Sequence, residues 1–183
     1  MRRVFHDRTG RPILIRQVVE SDAGRMVRLM HTLLDETPFM LRLPHEQRET
    51  ASEESRYLRH LSASGNSVAL FAEDGTFPVA TLIVTGGGLS RLAHVGYLGM
   101  GVLRRYWGMG IGRAILEAAI DWAKDHEIIR KLSLQVFENN RRAIRLYRSL
   151  GFREEGRLRR EVFEEDQFVD MLQMALFVDG SEA

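Results

Sequence analysis

Apolar residues in the first third of the chain follow strand spacing and then helix spacing. The run over residues 13–19 is rich in β-branched residues, which predicts a strand. The next segment has apolar residues three and four positions apart, as in a helix, at Met26, Leu29, Met30, Leu33 and Leu34. Ser21 or Asp22 is a candidate N-cap for this helix. A second helix is predicted where Tyr57, Leu58 and Leu61 fall on one side.

The remaining two thirds of the chain alternate between strands and helices. The pattern predicts a hairpin over residues 67–72 and 78–85, a strand over 94–102, a helix over 111–124, a strand over 132–137, a helix from Asn139 or Asn140 to a Gly151 cap, and strands over 152–158 and 168–178. This order predicts an α/β (α+β) protein in which helices cover a mixed sheet.

Composition indicates one ordinary globular domain and excludes several functions. Of 183 residues, 44% are hydrophobic, and 26 basic residues balance 25 acidic ones to a net charge of +1. We therefore expect no nucleic-acid or membrane partner. The chain has no cysteine, which excludes disulfides and a cysteine nucleophile and fits a cytoplasmic location. No apolar stretch predicts a signal peptide or a membrane span.

Several well-known catalytic signatures are missing. No Gly-Lys pair exists for a Walker loop, and no G-x-S-x-G sequence exists for a serine hydrolase. The dinucleotide fingerprint fails because Arg113 stands where its third glycine is required, which counts against an oxidoreductase. The six histidines form no helical pair, so no catalytic metal is expected.

The segment Gly101–Arg113 carries the clearest chemical signal. A predicted strand ends there, and glycines at 108, 110 and 112 lead directly into an amphipathic helix. Glycines let a ligand approach the backbone, and the free amides of a first helical turn attract an anion. The segment predicts a site for a pyrophosphate-bearing cofactor; the alternative is a turn that only permits close packing.

This segment resembles the pyrophosphate motif of the GNAT superfamily of acetyl-CoA-dependent N-acetyltransferases. Counted from Val102, the sequence W-G-M-G-I-G puts Trp107 where the family usually has glutamine or arginine, with Gly110 and Gly112 as the two glycines. A register two residues earlier also fits the motif, but it breaks the distance from strand to turn. The resemblance implies acetyl-CoA as the cosubstrate.

A second segment, Glu138–Phe152, resembles the family signature N-x-x-A-x-x-L-Y-x-x-x-G-F. The matching positions are Asn140, Ala143, Leu146, Tyr147, Gly151 and Phe152. The two motifs together imply a GNAT fold, with a mixed sheet of about six to seven strands and about four helices. Residues 1–183 are then one domain, and residues 1–12 are predicted to be an N-terminal extension.

The resemblance also implies which residues bind the cofactor. The strand end would pair with pantetheine through Met100, Gly101 and Val102. The turn would surround the pyrophosphate through Gly108, Met109, Gly110, Ile111, Gly112 and Arg113. Asn140 would bind the cofactor arm, or act only as a helix cap. One or more arginines would meet the CoA phosphates, the candidates being Arg105, Arg113, Arg141, Arg142 and Arg148.

The chemistry implied is attack of an amine on a thioester, which requires proton donation and removal. Tyr147 matches the general acid of the family; its alternative role is a packed aromatic residue. The resemblance does not supply a base, because Gln135 and Gly96 occupy positions where family members carry glutamate. One substitute is His94, expected on the same strand face as Gly96 and reached through water, with a purely structural histidine as the alternative; the other is Tyr97, expected on the opposite face unless a bulge re-aims it.

The acceptor side is less defined by the sequence. The resemblance implies a primary amine of a small molecule or a protein N-terminus, and Asp35 and Glu36 are predicted to line its site. A homodimer is left open. The two missing glutamates also motivate a different class of function, a non-catalytic acyl-CoA-binding or sensor domain.

Overall fold

The computed structural model describes residues 1–180, so the last three residues of the predicted domain lie outside the described residues. Its strands are β1 Arg2–His6, β2 Pro12–Gln17, β3 Val68–Asp74, β4 Phe77–Gly86, β5 Val95–Val102, β6 Lys131–Phe137, β7 Arg153–Glu164 and β8 Gln167–Phe177. Its α-helices are α1 Ala23–Glu36, α2 Ala51–Ala63, α3 Ile111–Lys124 and α4 Arg141–Ser149. The strands form one sheet in the order β1-β2-β3-β4-β5-β6-β8-β7.

The predicted mixed sheet is confirmed, with more strands than expected. Residues 2–6, predicted to belong to an extension, pair with β2 as the edge strand β1. At the other edge, β7 is twelve residues long and forms a hairpin with β8. The sheet therefore has eight strands within the described residues.

The core lies between the helices and the central strands. Helices α1 and α3 both pack on β4, and Leu33, Leu82 and Ile115 are fully buried. Nearly every residue of β3 is buried, which explains its continuous apolar run. No helix within residues 1–180 combines the length and apolar character that a membrane crossing requires.

The sheet opens between β5 and β6. These two strands form its parallel pair, and their pairing consists of three positions, ending where Tyr97 faces Ser133. Beyond that point β5 continues only with β4, and β6 only with β8. The backbone groups on the facing edges of the two strands are thereby left for another partner.

Gly96 is required at the point where the two strands still pair. A Cβ atom there would lie 2.6 Å from Cγ1 of Val84 and 3.2 Å from Cδ2 of Leu132. The first distance is below any ordinary van der Waals contact, so even alanine would displace a core side chain. A glutamate at this position would displace the same side chains.

A buried ionic cluster joins the start of α1 to β2 and β3. Arg16 binds both oxygens of Asp22, at 2.6 and 2.8 Å, and also binds the carboxylate of Glu73 at 2.8 and 2.9 Å. Arg25 binds Asp22 at 2.8 Å and Glu73 at 2.5 Å. Both carboxylates are almost completely buried. The cluster therefore fixes α1, which borders the cleft described below, against the sheet.

Replacement of Asp22 by asparagine is expected to lower the free energy of unfolding by about 2 kcal/mol at neutral pH, because Arg16 and Arg25 lose a buried charged partner. Hydrogen bonding to Arg16 lowers the pKa of Asp22 to about 2, below the value near 3.9 of an unfolded chain. This stabilisation is therefore present above about pH 4 and is lost as the pH falls toward 2. Urea denaturation between these pH values measures it.

Glu20 provides the control for this experiment. It pairs with Arg59 at the surface, where the two side chains are 46% and 65% exposed. Glu20→Gln is expected to change stability far less than Asp22→Asn. Equal stability of Asp22→Asn and the wild type at neutral pH would contradict the structural role given to the cluster.

Candidate functional site

The opening between β5 and β6 forms a cleft of about 1650 Å³. It is lined by the second half of β5, the glycine-rich turn, the start of α4 and the end of β6. The structure brings together here these residues predicted from the sequence: Tyr97, Met100, Gly101, Val102, Gly108, Gly110, Ile111, Gly112, Arg113, Asn140 and Tyr147. Met109 is not among the residues that line the cleft, its carbonyl accepting the backbone N–H of Arg8 at 3.1 Å, and His94 does not line it either.

The glycine-rich turn adopts a conformation that other residues rarely reach. Gly108 and Gly110 have φ angles of +82° and +91°, and Gly110 is the N-cap of α3. Its carbonyl accepts the first helical bond, from Ala114 N–H at 3.0 Å. The amides of Ile111, Gly112 and Arg113 precede that bond and have no acceptor within the helix. Free amides at a helix N-terminus favour an anion, so we call Ile111–Arg113 the anion-binding end of the cleft.

Trp107 holds the turn against the end of β5. Its indole Nε1–H donates to the carbonyl of Val102 at 2.6 Å, and the guanidinium of Arg142 lies 5.0 Å from its ring centroid. The tryptophan thus links the turn with β5 and α4. Trp107 stands where the family motif usually has glutamine or arginine. In this chain the residue at that position connects the turn to the end of β5.

Asn140 is placed so that it can both cap helix α4 and contact a ligand in the cleft. Its side chain caps α4 by accepting a bond from Ala143 N–H at 3.2 Å. The residue also lines the cleft. One oxygen can cap the helix while the amide N–H₂ remains free to donate to a ligand.

Tyr147 is held in the wall of the cleft. Its side chain is 7% exposed, and its ring packs 5.7 Å from that of Phe152. Burial raises the pKa of Tyr147 to about 12, because the low-dielectric surroundings disfavour the phenolate. The hydroxyl therefore keeps its proton at neutral pH and can donate it in a hydrogen bond.

The candidates for a base are less favourably placed. The expectation that His94 shares a strand face with Gly96 is wrong, because β5 begins at Val95 and His94 lies in the preceding turn. There it is exposed, outside the cleft, and its carbonyl accepts Arg130 N–H at 2.9 Å. Tyr97 and Gln135 do line the cleft. An amide such as that of Gln135 cannot take a proton at neutral pH.

The part of the lining that comes from α1, the loop after it and strands β4, β5, β6 and β8 is uncharged. It is formed by Met30, Thr37, Phe39, Met40, Leu41, Ile83, Tyr97, Ser133, Gln135, Phe137, Met171 and Gln173. The prediction that Asp35 and Glu36 line it is wrong: neither borders the cleft, and Glu36 accepts Arg104 N–H at 2.6 Å. Among the described residues, the one carboxylate that borders the cleft is Glu117, which pairs with Arg113 on α3 at 3.3 Å.

Arginines border the cleft near the turn and α4. Of the arginines predicted to meet the CoA phosphates, Arg113, Arg141 and Arg142 border the cleft, whereas Arg105 and Arg148 do not. In the described part of the chain, no group of three or more His, Asp or Glu side chains is arranged to hold a metal ion. Among the lining residues that the sequence did not indicate are Arg145 on α4 and, on the hairpin of β1 and β2, Phe5, His6 and Arg8.

Comparison with known proteins decides the family. The sequence model of the Acetyltransferase (GNAT) family matches residues 27–152. The chain belongs to the GNAT family. The match includes the open strand pair, the glycine-rich turn and Tyr147, so the motif resemblance and the shape of the cleft agree.

Solved GNAT structures share the architecture of the whole chain. A GNAT acetyltransferase from Streptococcus pneumoniae superposes with a TM-score of 0.87 at 30% identity, covering 91% of this chain and 99% of that one. A protein from Salmonella typhimurium, solved with its cofactor acetyl-CoA, has a TM-score of 0.82 at 17% identity and covers 93% of this chain and 96% of its own. The second likeness shows the fold alone.

A curated relative shares a shorter segment with this GNAT chain. The spermine/spermidine N(1)-acetyltransferase of Bacillus subtilis is 41% identical over 54 residues, which is 30% of this chain and 36% of that protein. The matched segment thus spans about a third of the relative, and its acceptor is a property of that relative.

Proposed function

We propose that the protein transfers the acetyl group of acetyl-CoA to a primary amine of a small molecule or a peptide N-terminus, by direct attack in a ternary complex in the cytoplasm. The observation that carries this proposal is the cleft, which combines an unpaired strand edge, an anion-binding turn and a protonated phenol. Family membership supports the choice of cosubstrate.

The residues of the cleft fit acetyl-CoA. Beyond Tyr97, the edge of β5 toward β6 has no strand partner, so the backbone of Gly99–Val102 can bond the amides of a pantetheine arm as a strand would. The amides of Ile111–Arg113 would hold its pyrophosphate. When bound, the cosubstrate supplies the thioester carbonyl that the amine attacks.

Tyr147 supports expulsion of the thiolate. A thiol of this kind has a pKa near 8.5, well below the pKa of about 12 of Tyr147. Complete proton transfer from the phenol to the thiolate is therefore unfavourable. Tyr147 instead donates a hydrogen bond that stabilises the negative charge developing on sulfur as the C–S bond breaks. In the overall reaction the amine nitrogen forms the new C–N bond and loses a proton, and the leaving thiolate gains one.

The acceptor amine loses its proton to water. We call the uncharged lining from α1, the loop after it and β4, β5, β6 and β8 the acceptor end; within the described residues it contains neither a carboxylate nor a histidine. Tyr97 and Ser133 offer hydroxyls that can orient a water molecule. The reactive form is then the free amine, so the rate is expected to rise with pH up to the pKa of the acceptor.

The lining of the acceptor end favours an amine with an uncharged, apolar body over a polycation. Methionine and aromatic side chains recognise apolar groups. A polyamine would keep a second ammonium there with no counter-charge, which is unfavourable in a partly desolvated cleft. The acceptor of the Bacillus subtilis relative is therefore not assigned to this chain.

A panel of acceptors tests this preference. We expect kcat/KM for 2-phenylethylamine, or for a peptide with an apolar N-terminal residue, to exceed that for spermidine by about tenfold or more, measured as thiol release from acetyl-CoA. Gln135→Glu adds a carboxylate at the acceptor end and is expected to reduce that ratio. Higher kcat/KM for spermidine with the wild type would contradict the assigned acceptor class.

A further inference from the structure

The N-terminal hairpin, formed by β1, β2 and the turn between them, is docked on the elements that form the anion-binding end of the cleft. Arg3 on β1 donates to the carbonyl of Ala114 at 2.6 Å and pairs with Asp121 at 3.0 Å, both on α3. Arg8 donates its backbone N–H to the carbonyl of Met109 at 3.1 Å. The hairpin therefore contacts both the glycine-rich turn and the helix that follows it.

Phe5 supports the turn from the side of the hairpin. A Cβ atom on Gly110 would lie 3.1 Å from Cζ of Phe5, so the ring covers the glycine closely. Phe5 is half-buried and belongs to the lining of the cleft. The aromatic ring thus restricts the conformation of Gly110 and keeps solvent from one side of the turn.

The turn of the hairpin is itself fixed. Oδ1 of Asp7 accepts bonds from Thr9 N–H at 2.8 Å, from the Thr9 hydroxyl at 2.6 Å and from Arg11 N–H at 3.0 Å. Such a carboxylate-closed turn is rigid compared with an open loop. Arg8 therefore projects from a well-defined backbone.

The side chain of Arg8 is exposed, borders the cleft and has no carboxylate partner among residues 1–180. Its position is next to amides that favour an anion. We propose that the N-terminal hairpin is part of the cofactor site and that Arg8 binds the phosphate groups of acetyl-CoA. This inference rests on the proposed function and adds a charged contact from outside the family-matched residues 27–152.

Calorimetric titration of the protein with CoA tests the proposal. Arg8→Ala is expected to weaken CoA binding by about tenfold, since a charge-assisted bond to phosphate is lost. Arg8→Lys retains the charge and should recover part of the affinity. Arg2→Ala is the matched control, because Arg2 belongs to the same hairpin, on strand β1, and lies outside the cleft. It is expected to stay within twofold of the wild type.

Titration with 3′-dephospho-CoA locates the contact. A loss in Arg8→Ala for CoA alone places Arg8 on the 3′-phosphate, and an equal loss for both ligands places it on the pyrophosphate. Either result supports the proposal. If wild-type protein binds CoA and Arg8→Ala binds it with unchanged affinity, the proposal is wrong while the proposed function stands. If the wild type does not bind CoA, the proposed function itself fails.

Discussion

Replacement of Tyr147 by phenylalanine is expected to lower kcat for acetyl transfer by about 100-fold, with KM for acetyl-CoA changed by less than about threefold. The variant keeps the ring that packs on Phe152 and loses the hydroxyl that stabilises the developing thiolate. An interaction made mainly in the transition state affects kcat more than binding. Steady-state thiol release at saturating acceptor measures the effect.

The pH dependence separates this role from that of a base. Burial raises the pKa of Tyr147 to about 12, so its phenol remains protonated between about pH 7 and 10. We expect the wild type and Tyr147→Phe to show the same rising profile, set by the acceptor amine, and to differ only in amplitude. Tyr57→Phe, at an exposed position of α2 outside the cleft, is the control. A kcat for Tyr147→Phe within threefold of the wild type would remove Tyr147 from the mechanism.

Replacement of Gly110 by alanine is expected to weaken acetyl-CoA binding by roughly 30-fold. Gly110 has a φ angle of +91°, and a Cβ atom would lie 3.1 Å from the Phe5 ring. To relieve both strains the turn must move, and the amides of Ile111–Arg113 move with it. Titration calorimetry with acetyl-CoA measures the loss.

Gly75 provides a matched control for backbone strain. It has a φ angle of +60° in the β3–β4 turn, with open space around its Cα and no part in the cleft. Gly75→Ala is expected to lower stability by about 1 kcal/mol and to leave acetyl-CoA affinity unchanged. Equal affinity of Gly110→Ala and the wild type would mean that the turn does not bind the phosphates.

Sequence patterns predicted most of the fold because its elements have strong local signals. Helix α3 begins and ends at the predicted residues 111 and 124, since its apolar stripe and the glycine before it are both local features. Strand β1 was missed because the run Arg2–His6 is short and rich in charge. Its formation depends on pairing with β2 and on the contacts of Arg3 with α3, which are distant in sequence.

The site was predictable to the extent that it lies in two contiguous motifs. The turn and Tyr147 fall within such motifs, and the structure places both on one cleft. His94 was misplaced because strand alternation requires knowing where the strand begins, and β5 begins one residue later. Asp35 and Glu36 were misplaced because their sequence position gives no information on side-chain direction at a helix end. The contribution of Phe5 and Arg8 arises from tertiary contacts that no local pattern records.

We propose that the protein transfers an acetyl group in this cleft, and one assay measures that transfer. Purified protein is incubated with acetyl-CoA and the acceptor panel, and free thiol is quantified together with the mass of each amine. Direct transfer in a ternary complex predicts one thiol released per acetylated amine, no release without an acceptor, and a protein mass that stays unchanged throughout. Tight CoA binding with neither thiol nor acetylated product from any class of amine would contradict it and favour a non-catalytic acyl-CoA-binding domain.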